Sequence, residues 1–263
     1  MCYNWDKNIK DMNQELRNII HTYCSDQKDF FELEVYAASM QGKGWGTATM
    51  SAEVDSCASL VEGVPNVFVD IGGNKGLYTE EVLKRFPKIE CHIFEPSSVN
   101  VQILKAKFDS LSNVIVNGKA LSNREDTLTL YSNESGSGLA SLTKRNIDHV
   151  NIKMNLEETV EVIRFDSYWD DRDIDYIKID VEGHELDVLD GFGALISKTK
   201  IIQFEFGGCN IDTKSHYRDF WYYFKELGFS MYRITPFGPS KLDRYTEYDE
   251  HYMTTNFIAI NEQ

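Results

Sequence analysis

Two short stretches carry residue types that can do chemistry. In "NVFVDIGGNKGLYTEEVLKRF" (residues 66–86) an apolar run meets an acid, Asp70, then three glycines within five positions, then a helix-like pattern. In "DYIKIDVEGHELDVL" (residues 175–189) Asp180, Glu182 and His184 fall at alternate positions after another apolar run. Strand, glycine turn and helix together bring backbone close to a nucleotide-like ligand. A carboxylate and an imidazole at the end of a strand are suited to moving a proton.

The glycine spacing excludes two ligand classes. The P-loop pattern G-x-x-x-x-G-K-[ST] has no match, and the dinucleotide pattern G-x-G-x-x-G, started at Gly72, fails at Asn74 and Leu77. What remains is D-x-G-x-N-x-G: Asp70, Gly72, Asn74 and Gly76. Beside a pyrophosphate Asp70 would set like charges together at a helix N-terminus, where anions bind. Beside a cation the same carboxylate is favourable. S-adenosylmethionine carries an ammonium and a sulfonium and no phosphate. Its own carboxylate can use the N–H groups of the helix start around Tyr78 and Thr79. Glu95, ending the next strand in "HIFEPS", is placed to accept from both ribose hydroxyls.

In an extended chain, alternation aims Asp180, Glu182 and His184 the same way. His184 is then the candidate general base, taking the proton of a hydroxyl that attacks a methyl group near neutral pH. Two other readings of the triplet stay open. Asp, Glu and His can ligate Mg²⁺ or Mn²⁺, a possible but not favoured cofactor. Acids early in a helix also complement its dipole, and Glu182 fits that description. Glu205, ending "IIQFEF", is a candidate for substrate hydroxyls. Ser137 lies in "SGSGLASL", a loop able to close over a ligand; the stretch lacks the G-x-S-x-G nucleophile pattern. Trp45 in "GKGWG" is either a platform for a sugar face or a packed aromatic.

The elements around these residues alternate. Strands are expected at "VFVDI", "ECHIFEP", "NVIVNGKAL", "DYIKIDV", "KIIQFEF", "FSMYRIT" and "TNFIAI", with helices between most of them, which implies a parallel, doubly wound α/β sheet. "DTLTLYSNES" and "ETVEVIRFDSYW" alternate with period two and have no helix of their own, so they read as an inserted antiparallel pair. "TTNFIAI" follows a strand without a helix and reads as reversed. Residues 1–63 lack this rhythm. "NIKDMNQELRNIIHTY" places Ile9, Met12, Leu16, Ile19 and Ile20 at helical spacing, and "FFELEVYAASM" reads as a second helix. The expected organisation is a helical lead-in over 1–63, a possible lid or contributor to the substrate site, and one catalytic domain over 64–263.

Composition narrows the partners. With 27 Lys+Arg against 42 Asp+Glu the net charge is −15, which disfavours a nucleic acid as main substrate. Five scattered cysteines with no C-x-x-C, and no signal peptide, point to the cytoplasm. No apolar run approaches a membrane span.

The motifs "FVDIGGNKGLYT", "IFEPS", "NGKALSN" with the following "LTLY", "SGSGLASL" and "DYIKIDVEGHELDVLDG" closely resemble the S-adenosylmethionine-dependent methyltransferases of the FkbM type. The match runs from about Asn66 to Ile260 and leaves residues 1–63 outside; Gly73 stands where alanine is commoner. The resemblance implies a Rossmann-like, seven-stranded methyltransferase sheet with its last strand antiparallel. It implies O-methylation of a small hydroxylated molecule, most often a sugar. Carried over, Asp70, Gly72, Asn74, Gly76, Tyr78 and Thr79 form the cofactor loop, Glu95 holds the ribose, and Ala120, Leu121 and Ser122 lie beside the adenine. Asp180 counts with the cofactor set as well as the catalytic one. Other acceptors (protein side chain, lipid, secondary metabolite) and a non-catalytic binding protein on this fold are the alternatives.

Overall fold

The computed structural model describes residues 13–45 and 49–262. Ile9 and Met12, assigned above to the first helix, lie outside them. The parallel core forms where apolar runs are unbroken: β1 (Val67–Ile71) and β7 (Ile174–Ile179) are buried along their whole length, as strands covered on both faces must be. Around them run β2 (Glu90–Phe94), β3 (Val114–Asn117) and β8 (Thr199–Phe206), giving a parallel order β3-β2-β1-β7-β8. Helices Leu77–Arg85, Ser98–Phe108 and Glu185–Gly191 lie in the connections between these strands, and Tyr217–Glu226 follows β8. Beyond β8 the direction reverses: β11 (Thr255–Asn261) lies antiparallel between β8 and β9 (Phe229–Thr235).

The sheet has eight strands, not the seven that the resemblance implied. The extra one is β10 (Gly238–Leu242), a hairpin partner of β9. "NVIVNGKAL" also differs from expectation. It divides into β3 and a two-residue β4 (Ala120–Leu121), which leaves the main sheet to run parallel to β6 (Leu156–Ile163). With β5 (Asp126–Ser132) antiparallel to β6, the inserted pair becomes a three-stranded sheet.

Alternation along β7 sends Ile177 and Ile179 to one apolar cluster, with Phe165, Phe192 and Phe204, and Tyr176 to another on the opposite face. The second cluster includes Val54 and Cys57 from helix Met50–Ala58, both fully buried. The last helix of the lead-in is therefore built into the core. The two helices before it, Gln14–Tyr23 and Gln27–Met40, bury none of their residues. Among the described residues no helix is long and apolar enough to cross a membrane.

Candidate active site

Strand order reverses between β1 and β7, since β1 leads outward to β2 and β7 to β8 on the other side. Open α/β sheets bind ligands at such a switch point, beyond the carboxyl ends of the strands. A cavity of about 350 Å³ lies there, lined by residues following β1, β2 and β7 and by the loop around Ser137.

One end is formed by the glycine turn and β2. Gly72 has φ +85°, and a Cβ there would stand 1.8 Å from the Asp180 carbonyl oxygen. Backbone N–H groups of Gly72 and Gly73 both donate to the Phe94 carbonyl, at 2.9 and 3.1 Å. The turn is thus clamped across β2 and against the end of β7, which only a residue without a side chain allows. Glu95 accepts from the Asn74 and Ser97 backbone N–H groups at 2.8 and 2.9 Å. Burial raises its pKa, while those two donors pull it back. Phe94, Pro96, Ala120, Leu121 and Leu142 supply an apolar wall beside it.

The other end is polar. Asp180 accepts from Lys178 Nζ at 2.7 Å, and Arg145 donates to Glu182. Asp180, Glu182 and Glu205 each bring a carboxylate oxygen to within 4.8 Å of the others. Burial, then the neighbouring Asp180, pushes the Glu182 pKa up to about 8 against the pull of Arg145. Glu205 is raised well above the carboxylate range, first by burial and then by Asp180 and Glu182. Burial works against the charge on Lys178, but Asp180, Asp70 and Glu53 outweigh it and hold its pKa above the usual lysine range. Lys178 and Arg145 offset part of the charge of this trio, whose three carboxylate oxygens are also close enough to hold a metal ion.

His184 faces a different set. Its Nδ1 lies 2.8 Å from Asp187 Oδ2 and its Nε2 2.9 Å from Thr143 Oγ1. A carboxylate can only accept, so Nδ1 carries the hydrogen; in the neutral ring Nε2 then has the lone pair and takes the Thr143 hydroxyl as donor. Asn123 Nδ2 donates to the other Asp187 oxygen at 3.0 Å, fixing the carboxylate.

Several expectations need correction. Asp180, Glu182 and His184 do not alternate along a strand: β7 ends at Ile179, and Glu182 (φ +57°) and Gly183 (φ +105°) turn the chain. The turn gathers Asp180 and Glu182 with Glu205 and sends His184 to Asp187 and Thr143. Asp70 is fully buried behind the cavity wall, its Oδ2 accepting from Thr79 Oγ1 at 2.5 Å. Its Oδ1 has no partner among the described residues. Gly76, at the start of helix Leu77–Arg85, also stands off the wall; a Cβ there would press on Leu104 and Phe108. Ser122 donates its N–H to the Ile163 carbonyl and does not line the cavity. Trp45 is the packed aromatic, against the cluster of Val54, Phe68 and Tyr78. Gly72, Asn74, Tyr78, Glu95, Ala120, Leu121, Ser137, Asp180, Glu182, His184 and Glu205 do line it.

Lys178, Arg145, Asp187, Thr143, Glu53 and Asn256 belong to the site or its support and were not foreseen. Lys178 was findable, two residues before Asp180 on one strand face, and so was Asp187, three residues after His184 on a helix. Glu53 comes from helix Met50–Ala58 and accepts from Thr49 Oγ1 at 2.6 Å and from Gln203 Nε2 at 2.7 Å. Nothing local in the sequence announces that reach.

A search of the curated proteins finds no match. Among solved structures, the chain is similar to a precorrin-6y C5,15-methyltransferase from Geobacter metallireducens, at 11% identity over 78% of this chain and 86% of that one (TM-score 0.40). It is similar to an rRNA methylase from Streptococcus thermophilus, at 10% identity over 80% and 95% (TM-score 0.46). A SAM-dependent O-methyltransferase from Thermotoga maritima matches at 12% identity over 81% and 64% (TM-score 0.42). At these identities nothing about acceptors carries over. In sequence, the methyltransferase FkbM domain matches residues 70–231, more than half of the chain. The chain belongs to the FkbM methyltransferase family, and it is an S-adenosylmethionine-dependent methyltransferase.

Proposed function

We propose that the protein transfers the methyl group to a hydroxyl of a small polyhydroxylated acceptor, a sugar or glycan precursor. The observation that carries this reading is the division of the cavity into a glycine-walled, apolar end and an end rich in carboxylates, amide and imidazole. The first end fits the cofactor. Glu95 Oε2, which accepts from Asn74 alone, keeps a lone pair for a ribose hydroxyl, Ala120 and Leu121 flank a flat ring, and the clamped turn leaves no side chain in the way. Gly72, Asn74, Tyr78 and Asp180 complete that set, while Asp70 acts through Lys178 and Thr79. The second end, with Glu53, Glu182, Glu205, Asn256 and His184, offers acceptors and donors at the density a sugar needs.

When bound, S-adenosylmethionine supplies an already activated methyl group, so positioning and exclusion of water provide most of the acceleration. His184 Nε2 would take the acceptor hydroxyl proton as the O–CH3 bond forms and the methyl's bond to sulfur breaks, the neutral thioether leaving, after that hydroxyl displaces Thr143 from the ring nitrogen. Asp187 holds the tautomer this requires. The loop of residues 137–142 covers the cavity. A net charge of −15 weighs against RNA as acceptor. The test is transfer of labelled methyl to panels of free sugars, nucleotide-linked sugars, RNA and protein. Label on a carbohydrate hydroxyl is expected, with His184→Gln lowering turnover by about 10²–10⁴-fold while affinity for S-adenosylhomocysteine is retained. Label on RNA or on protein side chains alone overturns the acceptor assignment; wild-type turnover in His184→Gln overturns the base.

A further inference from the structure

Register sets a row of polar side chains on one face of the main sheet. Lys178 on β7 lies opposite Gln203 on β8, and Glu205 lies opposite Asn256 on β11. Alternation keeps Gln203 and Glu205 on the same face. Glu53 meets this row from helix Met50–Ala58. Gln203 is fully buried, and Glu53 and Asn256 are only 5% and 4% exposed. What little Glu53 and Asn256 expose faces the cavity, which both of them line.

The hydrogen bonds fix how these groups point. A carboxylate can only accept, so Gln203 turns its amide nitrogen to Glu53, donating to Oε2 at 2.7 Å. The same nitrogen donates to Asn256 Oδ1 at 3.1 Å, while Gln203 Oε1 accepts from the Tyr78 and Tyr176 hydroxyls. Asn256 thus presents its oxygen to Gln203 and keeps both Nδ2 hydrogens, which find no acceptor among the described residues. Glu53 Oε1 accepts from Thr49 Oγ1 at 2.6 Å. Thr49 stands at the helix N-cap but makes no cap bond, so its hydroxyl is committed to the carboxylate. With one such bond on each oxygen, Glu53 keeps a lone pair on both.

We infer that Glu53 and Asn256 are the pair that selects the acceptor, the carboxylate accepting from one of its hydroxyls and Asn256 Nδ2 donating to a neighbouring one. The inference rests on reading that end of the cavity as the acceptor's. Strand order supports the placement. β8 and β11 stand two and three strands from β1, roughly 10 and 14 Å at about 4.8 Å per strand. A cofactor held between the glycine turn and Glu95 extends the other way, toward β2. Glu53 and Asn256 also lie outside residues 70–231, the segment that matches the family. The family match therefore does not account for them.

The test compares the full chain as wild type, Glu53→Gln and Asn256→Ala. Its probes are the sugars of the panel that take label and their monodeoxy analogues. Glu53→Gln is expected to lower kcat/KM for the sugar by about ten- to a hundredfold, the loss of a charged hydrogen bond, and Asn256→Ala by about three- to tenfold. Both losses should appear chiefly in KM. Affinity for S-adenosylhomocysteine, read by calorimetry, is expected to hold in both variants, which also reports an intact fold. Wild type should discriminate against the analogue that lacks a held hydroxyl, and Glu53→Gln should lose most of that discrimination. Unchanged kcat/KM and unchanged discrimination in both variants overturn the inference. Weakened S-adenosylhomocysteine in Glu53→Gln also overturns it, placing Glu53 on the cofactor. Label confined to RNA or protein overturns the acceptor assignment and this pair with it, and is told apart because the wild type then labels no sugar.

Discussion

At the scale of single residues, the site is governed by how three crowded carboxyls share charge. Glu205 and Glu182 are both raised, and for an acid this has a definite sign. The stabilisation is fully present below the unfolded value and lost as pH rises through the folded one, for Glu182 between 4.5 and about 8. Glu90 runs the other way: Arg172 and His92 lower it to about 2, so its contribution is constant above the ordinary carboxylate range. Urea denaturation at pH 6 and pH 9 therefore spans the titration of the cluster, and comparison with Glu205→Gln separates it from the buried Cys57, Cys91 and Cys209, whose raised pKa values act in the same sense. Wild-type stability is expected to fall between the two, and Glu205→Gln to flatten the fall by removing one charge from the group; an equal fall in both would show that the cluster carries no titration. The residues of this cluster were legible as types, because acids at strand ends over an α/β sheet stand out. Their geometry was not. Alternation presumes an extended chain, and the Glu182-Gly183 pair, a turn signal in its own right, bends it.

Among the elements, the turn after β1 has the least tolerance. At Gly72 two effects coincide, a left-handed φ and a Cβ 1.8 Å from the Asp180 carbonyl oxygen. Gly63 separates them, since its φ is +80° with nothing within 4 Å of a Cβ. Gly63→Ala is expected to cost about 1–2 kcal/mol, the penalty of the left-handed region alone. Gly72→Ala should cost more and weaken S-adenosylhomocysteine by at least about tenfold, because the turn must leave β7; calorimetric titration and urea melts read both. Equal effects at the two positions would mean that the close approach to β7 is unimportant. This turn was readable because its constraint is local, a glycine pattern between a strand and a helix. The split of "NVIVNGKAL" was not, because a continuous apolar run says nothing about which sheet each half joins. β10 was missed for a related reason: "GPSKL" has neither apolar alternation nor strong strand formers, and only its hairpin with β9 makes it a strand.

Across the whole molecule, residues 1–63 divide into two physical classes. Helix Met50–Ala58 buries Val54 and Cys57, and its Glu53 receives Gln203 from β8 in a network that includes Asn256 of β11. Burying one large apolar side chain is worth about 1.5–3 kcal/mol, and losing the hydrogen bond from Gln203 to Glu53 adds roughly 0.5–1.5 kcal/mol, against a net stability of about 5–15 kcal/mol. Deleting residues 1–58 is thus expected to abolish cooperative thermal unfolding, whereas deleting residues 1–40 should keep it. Loss of the transition in both would place the first two helices in the core as well. Period-3.6 patterning revealed helices here, but it could not say which of them touches the sheet, since that depends on partners from β8 and β9 far along the chain.

The unforeseen eighth strand has a consequence of its own. A sheet that ended at β9 would present a seven-residue row of strong strand formers, FSMYRIT, as a template on which another chain could grow. β10 covers that row with five residues that extend it poorly. Pro239 brings no N–H, and Ser240 and Lys241 face solvent with a charge that a stacking neighbour would have to desolvate. Weak as a strand, β10 serves as a stopper: it closes the hydrogen-bonding row of β9 and offers a poor template in its place.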